Sequence, residues 1–321
     1  MPQPQFIQIH QPDSARLAAE AVHGLLASPA RLSPKFLYDA LGSRLFDAIT
    51  ELDEYYPTRT EAALFVRHAA GIAQAVQAAA GSAATLVDLG AGNCAKAAAL
   101  FEGLAPAGYV AIDISVDFLR QSVAALQRQY PAVRMTGVGL DFSQHLALPE
   151  GLVPGPAVVF YPGSSIGNFS PDEALRLLRQ AHALSAGGAL LIGVDLVKAV
   201  DVLEAAYDDA LGVTAAFNLN LLKHLNRLIG SDFQVRDWRH VALFNAVHSR
   251  VEMHLEARHA LSVQWSGGER RFASGESVHT ENSYKWTRPD FEALLRDAGW
   301  RQVQSFTDER EWYALMVAGA A

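Results

Sequence analysis

Short apolar segments alternate with amphipathic segments through the middle of the chain. Runs rich in Val, Ile and Leu predict strands buried on both faces, and they lie at 85–88, 109–113, 133–140, 157–160 and 189–194. Between them, the spacing of apolar residues predicts helices near 94–104, at 116–129 and at 171–185. This alternation indicates a parallel sheet with helices on both faces.

The flanking segments follow different patterns. Helical spacing is found at 14–27, from 201 to about 230 and at 290–298, and strand patterns are found at 233–248, 251–264, 302–307 and 312–317. We therefore expect an α/β protein with a doubly wound domain formed by 61–196 plus 287–321. We expect a second, smaller α+β domain formed by 1–60 plus 197–286.

The composition is typical of a globular protein, and we expect an enzyme. The 321 residues are 50% hydrophobic and carry a net charge of −8, whereas binding nucleic acid needs a basic excess. No apolar run approaches the roughly 20 residues that cross a bilayer, and the N-terminus lacks the pattern of a signal peptide. The single cysteine, Cys94, cannot form an intrachain disulfide. We expect a cytoplasmic monomer that binds neither nucleic acid nor membrane.

A glycine turn and two acidic residues point to a nucleoside site. Gly90 and Gly92 follow the first predicted strand, where glycine lets the backbone bend sharply and approach a ligand. Asp113 ends the second strand, where a carboxylate can accept bonds from ribose hydroxyls. Asp141 and Phe142 end the third, where an acid can bind an adenine amino group and a ring can stack.

Three interpretations of this turn remain open from the residues alone. It is a tight βα turn without a ligand, a dinucleotide site of an NAD-dependent oxidoreductase, or an S-adenosylmethionine site. The opening Asp88-x-Gly-x-Gly, with Ala95 where a dinucleotide fingerprint often has a third glycine, favours the methyl donor. Lys96 is then a candidate partner for the donor's carboxylate.

Five further motifs resemble the L-histidine Nα-methyltransferases, and they run in that family's order. They are YDALGSRLFDAITELDEYYPTRTE at 38–61, YPGSSIGNF at 161–169, GVDLVK at 193–198, AYDD at 206–209 and TENSYK at 280–285. The resemblance implies a Rossmann-like class I methyltransferase domain with S-adenosyl-L-methionine as methyl donor. It also implies trimethylation of the α-amino group of histidine to hercynine, the first step of ergothioneine biosynthesis.

The resemblance also implies roles for individual residues. Those matching the substrate site are Tyr38, Tyr55, Gly163, Asn168, Tyr207, Met253, Glu281 and Ser283. Tyr38 and Tyr55 line the imidazole pocket in the family, and Met253 lies against the side chain. Glu281 and Ser283 bind the imidazole nitrogens, and the other three hold the α-amine and α-carboxylate. The residues matching the methyl-donor site are Gly90, Gly92, Lys96, Asp113, Asp141 and Phe142.

No residue is predicted to act as a catalytic base; Asn168 and Tyr207 are predicted to position the substrate. Glu61, Asp208 and Asp209 are interpreted as capping or ion-pairing residues rather than catalysts.

Departures from the family pattern leave a different free amino acid as an alternative substrate. Asp53 replaces the usual proline, and Asn282 and Tyr284 are more polar or bulkier than the residues expected beside Glu281 and Ser283. A non-enzymatic nucleoside-binding subunit is a further alternative.

No metal is predicted, because His240, His248 and His254 lack the spacing of metal ligands and no cysteine joins them.

Overall fold

The computed structural model describes residues 3–9, 14–143 and 145–320. The α-helices are α1 (Ser14–Leu26), α2 (Ala40–Ile49), α3 (Tyr56–Ala80), α4 (Ala95–Ala98), α5 (Phe101–Leu104), α6 (Val116–Gln129), α7 (Pro171–Ser185), α8 (Val200–Ala205), α9 (Val213–Ile229) and α10 (Arg288–Asp297). The strands are β1 (Gln5–Gln8), β2 (Ala30–Arg31), β3 (Thr85–Leu89), β4 (Gly108–Asp113), β5 (Arg134–Gly139), β6 (Ala157–Tyr161), β7 (Ala189–Asp195), β8 (Trp238–Asn245), β9 (Arg250–Ala257), β10 (Leu261–Trp265), β11 (Gly268–Phe272), β12 (Ser277–Tyr284), β13 (Arg301–Thr307) and β14 (Tyr313–Gly319). Among the described residues, no helix has the length and apolar character needed to cross a membrane.

The first of two compact units comprises Met1–Gln11, Arg59–Leu196 and Trp286–Ala321. Its described residues form a sheet of eight strands in the order β1-β5-β4-β3-β6-β7-β14-β13. Neighbouring strands are parallel, except that β14 runs antiparallel to both β7 and β13. The predicted α/β fold, a doubly wound sheet with an antiparallel end, is therefore confirmed.

This sheet is buried on both faces because side chains along each strand alternate between two cores. Val87 and Leu89 belong to one core, together with apolar residues of α7 and α10. Leu86 belongs to the other, together with residues of α3 and α6. Helix α7 starts where its sequence predicts, since Ser170 and Glu173 form a reciprocal capping box at its N-terminus.

The N-terminal strand corrects the expected assignment of residues 1–60 to the second domain. Gln5–Gln8 pairs in parallel with β5 at the edge of the large sheet. Gly137 leaves room for the Phe6 ring, because a Cβ at position 137 would lie only 2.8 Å from that ring. The guanidinium of Arg120 covers that ring, with its Cζ 4.0 Å from the ring centroid.

The second unit comprises Pro12–Thr58 and Val197–Lys285. It holds a four-stranded sheet in the order β2-β12-β9-β8, the hairpin β10–β11, and helices that include α9. Its core joins Phe217, Leu221 and Leu225 of α9 to Met253 and Leu255 of β9.

Two helices and two strands were predicted with wrong extents. The helix expected from 201 to about 230 is interrupted between α8 and α9, and Tyr207 lies in the connection. The helix expected near 94–104 is divided into α4 and α5. The strand expected at 233–248 is shortened to β8, and the one expected at 251–264 is divided into β9 and β10.

Candidate functional site

The carboxyl ends of β3, β4 and β5 lie side by side and bring the predicted nucleoside residues together. The backbone amide of Gly92 donates a hydrogen bond of 2.9 Å to Asp113 Oδ2. A Cβ at Gly90 would lie 4.0 Å from Phe142 Cζ, which places that ring beside the glycine turn. The sheet order also changes direction here, since β3 has β4 on one side and β6 on the other. Ligands of open α/β sheets bind at such a switch point.

The backbone and side chains at this edge fit an adenosyl group. Gly90 and Gly92 have φ values of +71° and +52°, and a Cβ at Gly92 would have no atom within 4 Å. Asp113 Oδ1 accepts from the amide of Ser115, so each carboxylate oxygen has one protein partner and retains capacity for a hydroxyl donor. Asp141 is half-buried, and the neighbouring Phe142 packs edge-on against Tyr161.

Asp88 of the same motif lies inside the protein rather than at the ligand edge. Its side chain is 2% exposed and accepts a hydrogen bond of 2.7 Å from the hydroxyl of Tyr109. Burial raises the pKa of Asp88 to about 7, although the Tyr109 hydrogen bond opposes the shift. Asp88 therefore stabilises the glycine turn from inside the protein.

A buried carboxylate, Glu61, joins predicted donor and substrate residues within the first unit. Glu61 Oε1 accepts 2.7 Å hydrogen bonds from the Gly163 amide and the Tyr313 hydroxyl. Glu61 Oε2 pairs with Lys96 Nζ at 2.5 Å. The predicted ion-pairing role of Glu61 is confirmed, but sequence reasoning missed its placement of Gly163 and Lys96.

Gly193 makes room for this arrangement. A Cβ at Gly193 would lie 2.3 Å from Glu61 Oε1 and 2.4 Å from the Tyr313 hydroxyl. The glycine that opens the GVDLVK motif is therefore explained by the close packing of two polar groups against β7. Asn168 lies in the loop that follows Gly163, half-buried at the end of the 3-10 turn Ser165–Asn168.

In the second unit, a β-bulge turns Glu281 and Ser283 toward the core face of the small sheet. His279 lies opposite His254, whereas Glu281 lies opposite Met253, so Thr280 is an extra residue in β12. Glu281 is 7% exposed and Ser283 is 5% exposed. Glu281, Ser283 and Met253, all predicted substrate residues, thus share one face of the small sheet.

Tyr207 joins this group through its hydroxyl. The Tyr207 hydroxyl donates to Ser283 Oγ at 2.7 Å. Lys285 Nζ donates to the Tyr207 hydroxyl at 3.0 Å and to Ser283 Oγ at 2.9 Å. Lys285 is 3% exposed and was not predicted as a site residue. Its position two residues after Ser283, immediately after the end of β12, is the signal that would have found it.

The backbone at Tyr207 is held by a neutral imidazole. His240 Nε2 donates to the Tyr207 carbonyl at 2.8 Å, and Asn218 Nδ2 donates to His240 Nδ1 at 2.9 Å. Burial lowers the pKa of His240, which favours this neutral form. The arrangement satisfies both ring nitrogens and fixes the connection between α8 and α9.

The predicted aromatic residues line the same region of the second unit. The Tyr55 ring lies 6.2 Å from the Tyr207 ring and 6.2 Å from Phe46, in edge-on geometry. The Tyr38 ring lies 5.4 Å from Phe217. All three tyrosines are partly buried against the core that contains Met253. The predicted substrate residues of this unit are therefore gathered, whereas Gly163 and Asn168 belong to the first unit.

Asn282 and Tyr284 lie on the opposite face of the sheet from Glu281 and Ser283. Asn282 is paired with Glu252, and Tyr284 with Arg250. The Tyr284 hydroxyl accepts a 2.7 Å hydrogen bond from Arg250 Nη1. The sequence therefore suggested the wrong position for Asn282 and Tyr284, the two departures from the family pattern beside Glu281 and Ser283. Both lie among polar residues on the other face of the sheet.

Comparison with known proteins gives one family and a consistent set of relatives. The profile of the family described as histidine-specific methyltransferase, SAM-dependent, matches residues 17–320. Histidine N-alpha-methyltransferase of Mycolicibacterium smegmatis is 40% identical over 95% of this chain and 97% of its own. Ergothioneine biosynthesis protein 1 of Neurospora crassa is 30% identical over 88% of this chain and 32% of its own. L-tryptophan methyltransferase trpM of Psilocybe serbica is 28% identical over 94% of this chain and 92% of its own.

These matches decide between the open interpretations of the glycine turn. The methyl donor S-adenosylmethionine is confirmed as the cofactor, and the chain is an enzyme. The NAD-dependent oxidoreductase and the non-enzymatic subunit are excluded as alternatives.

Proposed function

Because this chain belongs to the family of histidine-specific, S-adenosylmethionine-dependent methyltransferases, we propose that it methylates the α-amino nitrogen of free L-histidine three times to give hercynine. The relative named Ergothioneine biosynthesis protein 1 supports a place for this product in ergothioneine biosynthesis. We also propose that the chain acts as a cytoplasmic monomer; light scattering of the purified protein tests its mass.

The observation that carries the proposal is the burial of Glu281 and Ser283 on one face of β12. A neutral imidazole presents one donor and one acceptor, and an imidazolium presents two donors. The Glu281 carboxylate accepts from a ring N–H, and the Ser283 hydroxyl, which already accepts from Tyr207 and Lys285, can donate to the other ring nitrogen. An apolar side chain makes neither of these hydrogen bonds, so it gains none of the free energy that they give to bound histidine.

The other end of the amino acid is assigned to Gly163, Asn168 and Tyr207. Asn168 supplies a neutral amide donor for the α-carboxylate, and the Tyr207 hydroxyl supplies a second one when its proton turns from Ser283 Oγ to the substrate. The Glu61 carboxylate accepts from the Gly163 amide, which fixes the backbone at this position. Polar groups held in this way orient the amine.

When bound, S-adenosylmethionine supplies a methyl group on a positively charged sulfur. Asp113 and Asp141 are assigned to its ribose hydroxyls and adenine amino group, and Phe142 to the face of the adenine ring. Gly90 and Gly92 allow close approach of the backbone. Lys96, oriented by Glu61, is assigned to the methionine carboxylate.

The main catalytic task is to aim the amine lone pair along the line of displacement at carbon. A free α-ammonium group titrates near pH 8, so it must lose a proton before each transfer. No residue is assigned as the base, and water takes the proton. Tyr38 and Tyr55 offer aromatic faces that stabilise the positively charged product by cation–π contact.

An amino-acid panel tests the proposal directly. The purified full chain is incubated with S-adenosylmethionine and each of the twenty amino acids, and products are identified by mass spectrometry with fragmentation. We expect mono-, di- and trimethylated histidine, with every methyl group on the α-nitrogen. Methylation of the imidazole, or methylation of another amino acid while histidine remains unreacted, would refute it.

A different amino acid is the second candidate, since one relative is named an L-tryptophan methyltransferase. Under this alternative, the carboxylate of Glu281 has no imidazole to bind. Glu281→Ala would then leave turnover of the preferred substrate largely unchanged, whereas histidine recognition requires a large loss.

A further inference from the structure

The face of the small sheet opposite Glu281 carries a cluster of two histidines and a carboxylate. Glu252 and His254 alternate on β9, and His279 of β12 is paired with His254 in the antiparallel register. All three side chains therefore project from the same face, as the alternation of strands requires. None of them is among the residues assigned to histidine or to the methyl donor.

The three side chains are close enough to share one ion. Each offers one ligand atom, a histidine nitrogen or a carboxylate oxygen, and these atoms all lie within 4.8 Å of one another. His254 Nε2 lies 3.0 Å from Glu252 Oε2, and the two imidazole centroids are 4.9 Å apart. Bonds of about 2.0–2.2 Å to a tetrahedral ion require only a small inward rotation of these side chains.

Two ring nitrogens in the cluster lack a hydrogen-bond partner among the described residues. His254 Nδ1 and His279 Nε2 are both buried and unpaired. Buried polar atoms are rarely left unsatisfied in folded proteins, and an ion or a water is the usual explanation for an exception. Both imidazoles thus retain lone-pair or donor capacity that the protein itself does not use.

We propose that Glu252, His254 and His279 bind a divalent transition-metal ion of the zinc class. Two imidazole nitrogens and one carboxylate oxygen are the ligand types that such ions prefer, and a water completes a tetrahedron. Spacing in the sequence gives no hint of the site, because the third ligand arrives through strand pairing.

The residues next to the cluster lower its affinity for a metal ion. Arg250 Nη2 lies 2.6 Å from Glu252 Oε1, and Asn245 Nδ2 donates to the same oxygen at 2.9 Å. Only Oε2 therefore faces the histidines. The positive charge of Arg250 opposes a second cation nearby, so we expect weaker binding than at a zinc finger.

A metal at this position would link β12 to β9 at the residue pair immediately before the Thr280 bulge. The bulge determines that Glu281 faces the core side of the sheet. The ion would therefore stabilise the strand pair that carries Glu281, without contact with the reacting groups. This inference rests on the strand geometry and is independent of which amino acid is methylated.

Metal titration of the full-length protein tests the site. The protein is stripped with a chelator, dialysed, and titrated with Zn²⁺ by calorimetry, and with Co²⁺ by visible absorption. We expect one Zn²⁺ per chain and absorption bands of four-coordinate Co²⁺. His254→Gln and His279→Gln should each weaken binding by about tenfold or more, whereas His259→Gln, at an exposed histidine outside the cluster, should not.

Equal binding by the wild type and both cluster variants would overturn the proposal, as would the absence of stoichiometric binding by the wild type. Circular dichroism checks that each variant folds. If a variant does not fold, the wild-type Co²⁺ spectrum decides, because absent bands of four-coordinate Co²⁺ contradict the site.

Discussion

Glu281 of β12 lies directly opposite Met253 of β9, although His279, two residues earlier, lies opposite His254. Thr280 is the inserted residue, and its hydroxyl donates to the Met253 carbonyl at 3.0 Å. A regular strand would place His279 and Glu281 on one face. The bulge separates them. Glu281 lies on the face of the sheet that carries Met253, and His279 lies on the face that carries Glu252 and His254.

Replacing Glu281 by glutamine should impair histidine recognition specifically. The amide retains the shape but loses the charge, and a hydrogen bond to a charged group is worth about 1.5–3 kcal/mol. We expect kcat/KM for histidine to fall by roughly ten- to a hundredfold with KM for S-adenosylmethionine unchanged. Steady-state kinetics measure this. Glu269→Gln, at an exposed carboxylate on β11, is the matched control and should behave as the wild type.

The hydroxyls of Tyr207 and Ser283 should be energetically coupled. Their hydrogen bond is 2.7 Å long, and both hydroxyls accept from the buried Lys285. In a double-mutant cycle of Tyr207→Phe and Ser283→Ala, urea denaturation should give a coupling free energy of about 1 kcal/mol. Tyr207→Phe combined with Ser262→Ala, at an exposed serine on β10, should be additive. Additivity in both cycles would show that the Tyr207–Ser283 contact contributes nothing.

Much of the first unit follows from local pattern, because its central strands are apolar on both faces and α7 has a capping box. Helices α6 and α7 begin and end where the spacing predicts. The edge strand β1 was missed, since four residues carry too short a pattern and its stability comes from the Phe6 contact with Gly137. Such a long-range contact has no signature in neighbouring residues.

Within the candidate site, the residue types were predictable but the faces were not. Motifs led to Glu281, Ser283 and Tyr207, and strand alternation alone would have placed Glu281 beside His279. The bulge reverses this, and it is set by pairing with β9 rather than by the sequence of β12. Asn282 was expected near the recognition groups, but the ordinary alternation of side chains after the bulge places it on the other face.

Gly193→Ala should destabilise the protein and disturb the donor residues together. The new methyl group would displace the Tyr313 hydroxyl and the carboxylate of Glu61, which pairs with Lys96 and accepts from the amide of Gly163. We expect the free energy of unfolding to fall by about 1–3 kcal/mol, the usual cost of overpacking. KM for S-adenosylmethionine should rise, since Lys96 loses its fixed partner.

Gly108→Ala is the matched control for this substitution, since a Cβ there would meet its nearest atom at 3.5 Å. Its unfolding free energy should change by less than that of Gly193→Ala. Equal effects of the two substitutions would mean that the packing around Glu61 tolerates a methyl group.

Asp209 should make the stability of the protein depend on pH at the acidic end. Burial alone raises the pKa of Asp209, but hydrogen bonds from the amides of Thr214 and Val213 outweigh it and lower the pKa. The carboxylate therefore stabilises the first turn of α9 above its usual pKa of 3.8, and this contribution is lost as pH falls through the lowered value. Asp209→Asn removes the charge and keeps the shape. The unfolding free energy of the wild type should exceed that of the variant at pH 7, and the difference should shrink as the pH is lowered toward 3. Urea denaturation at several pH values measures it, and a difference that stays constant with pH would contradict the assignment.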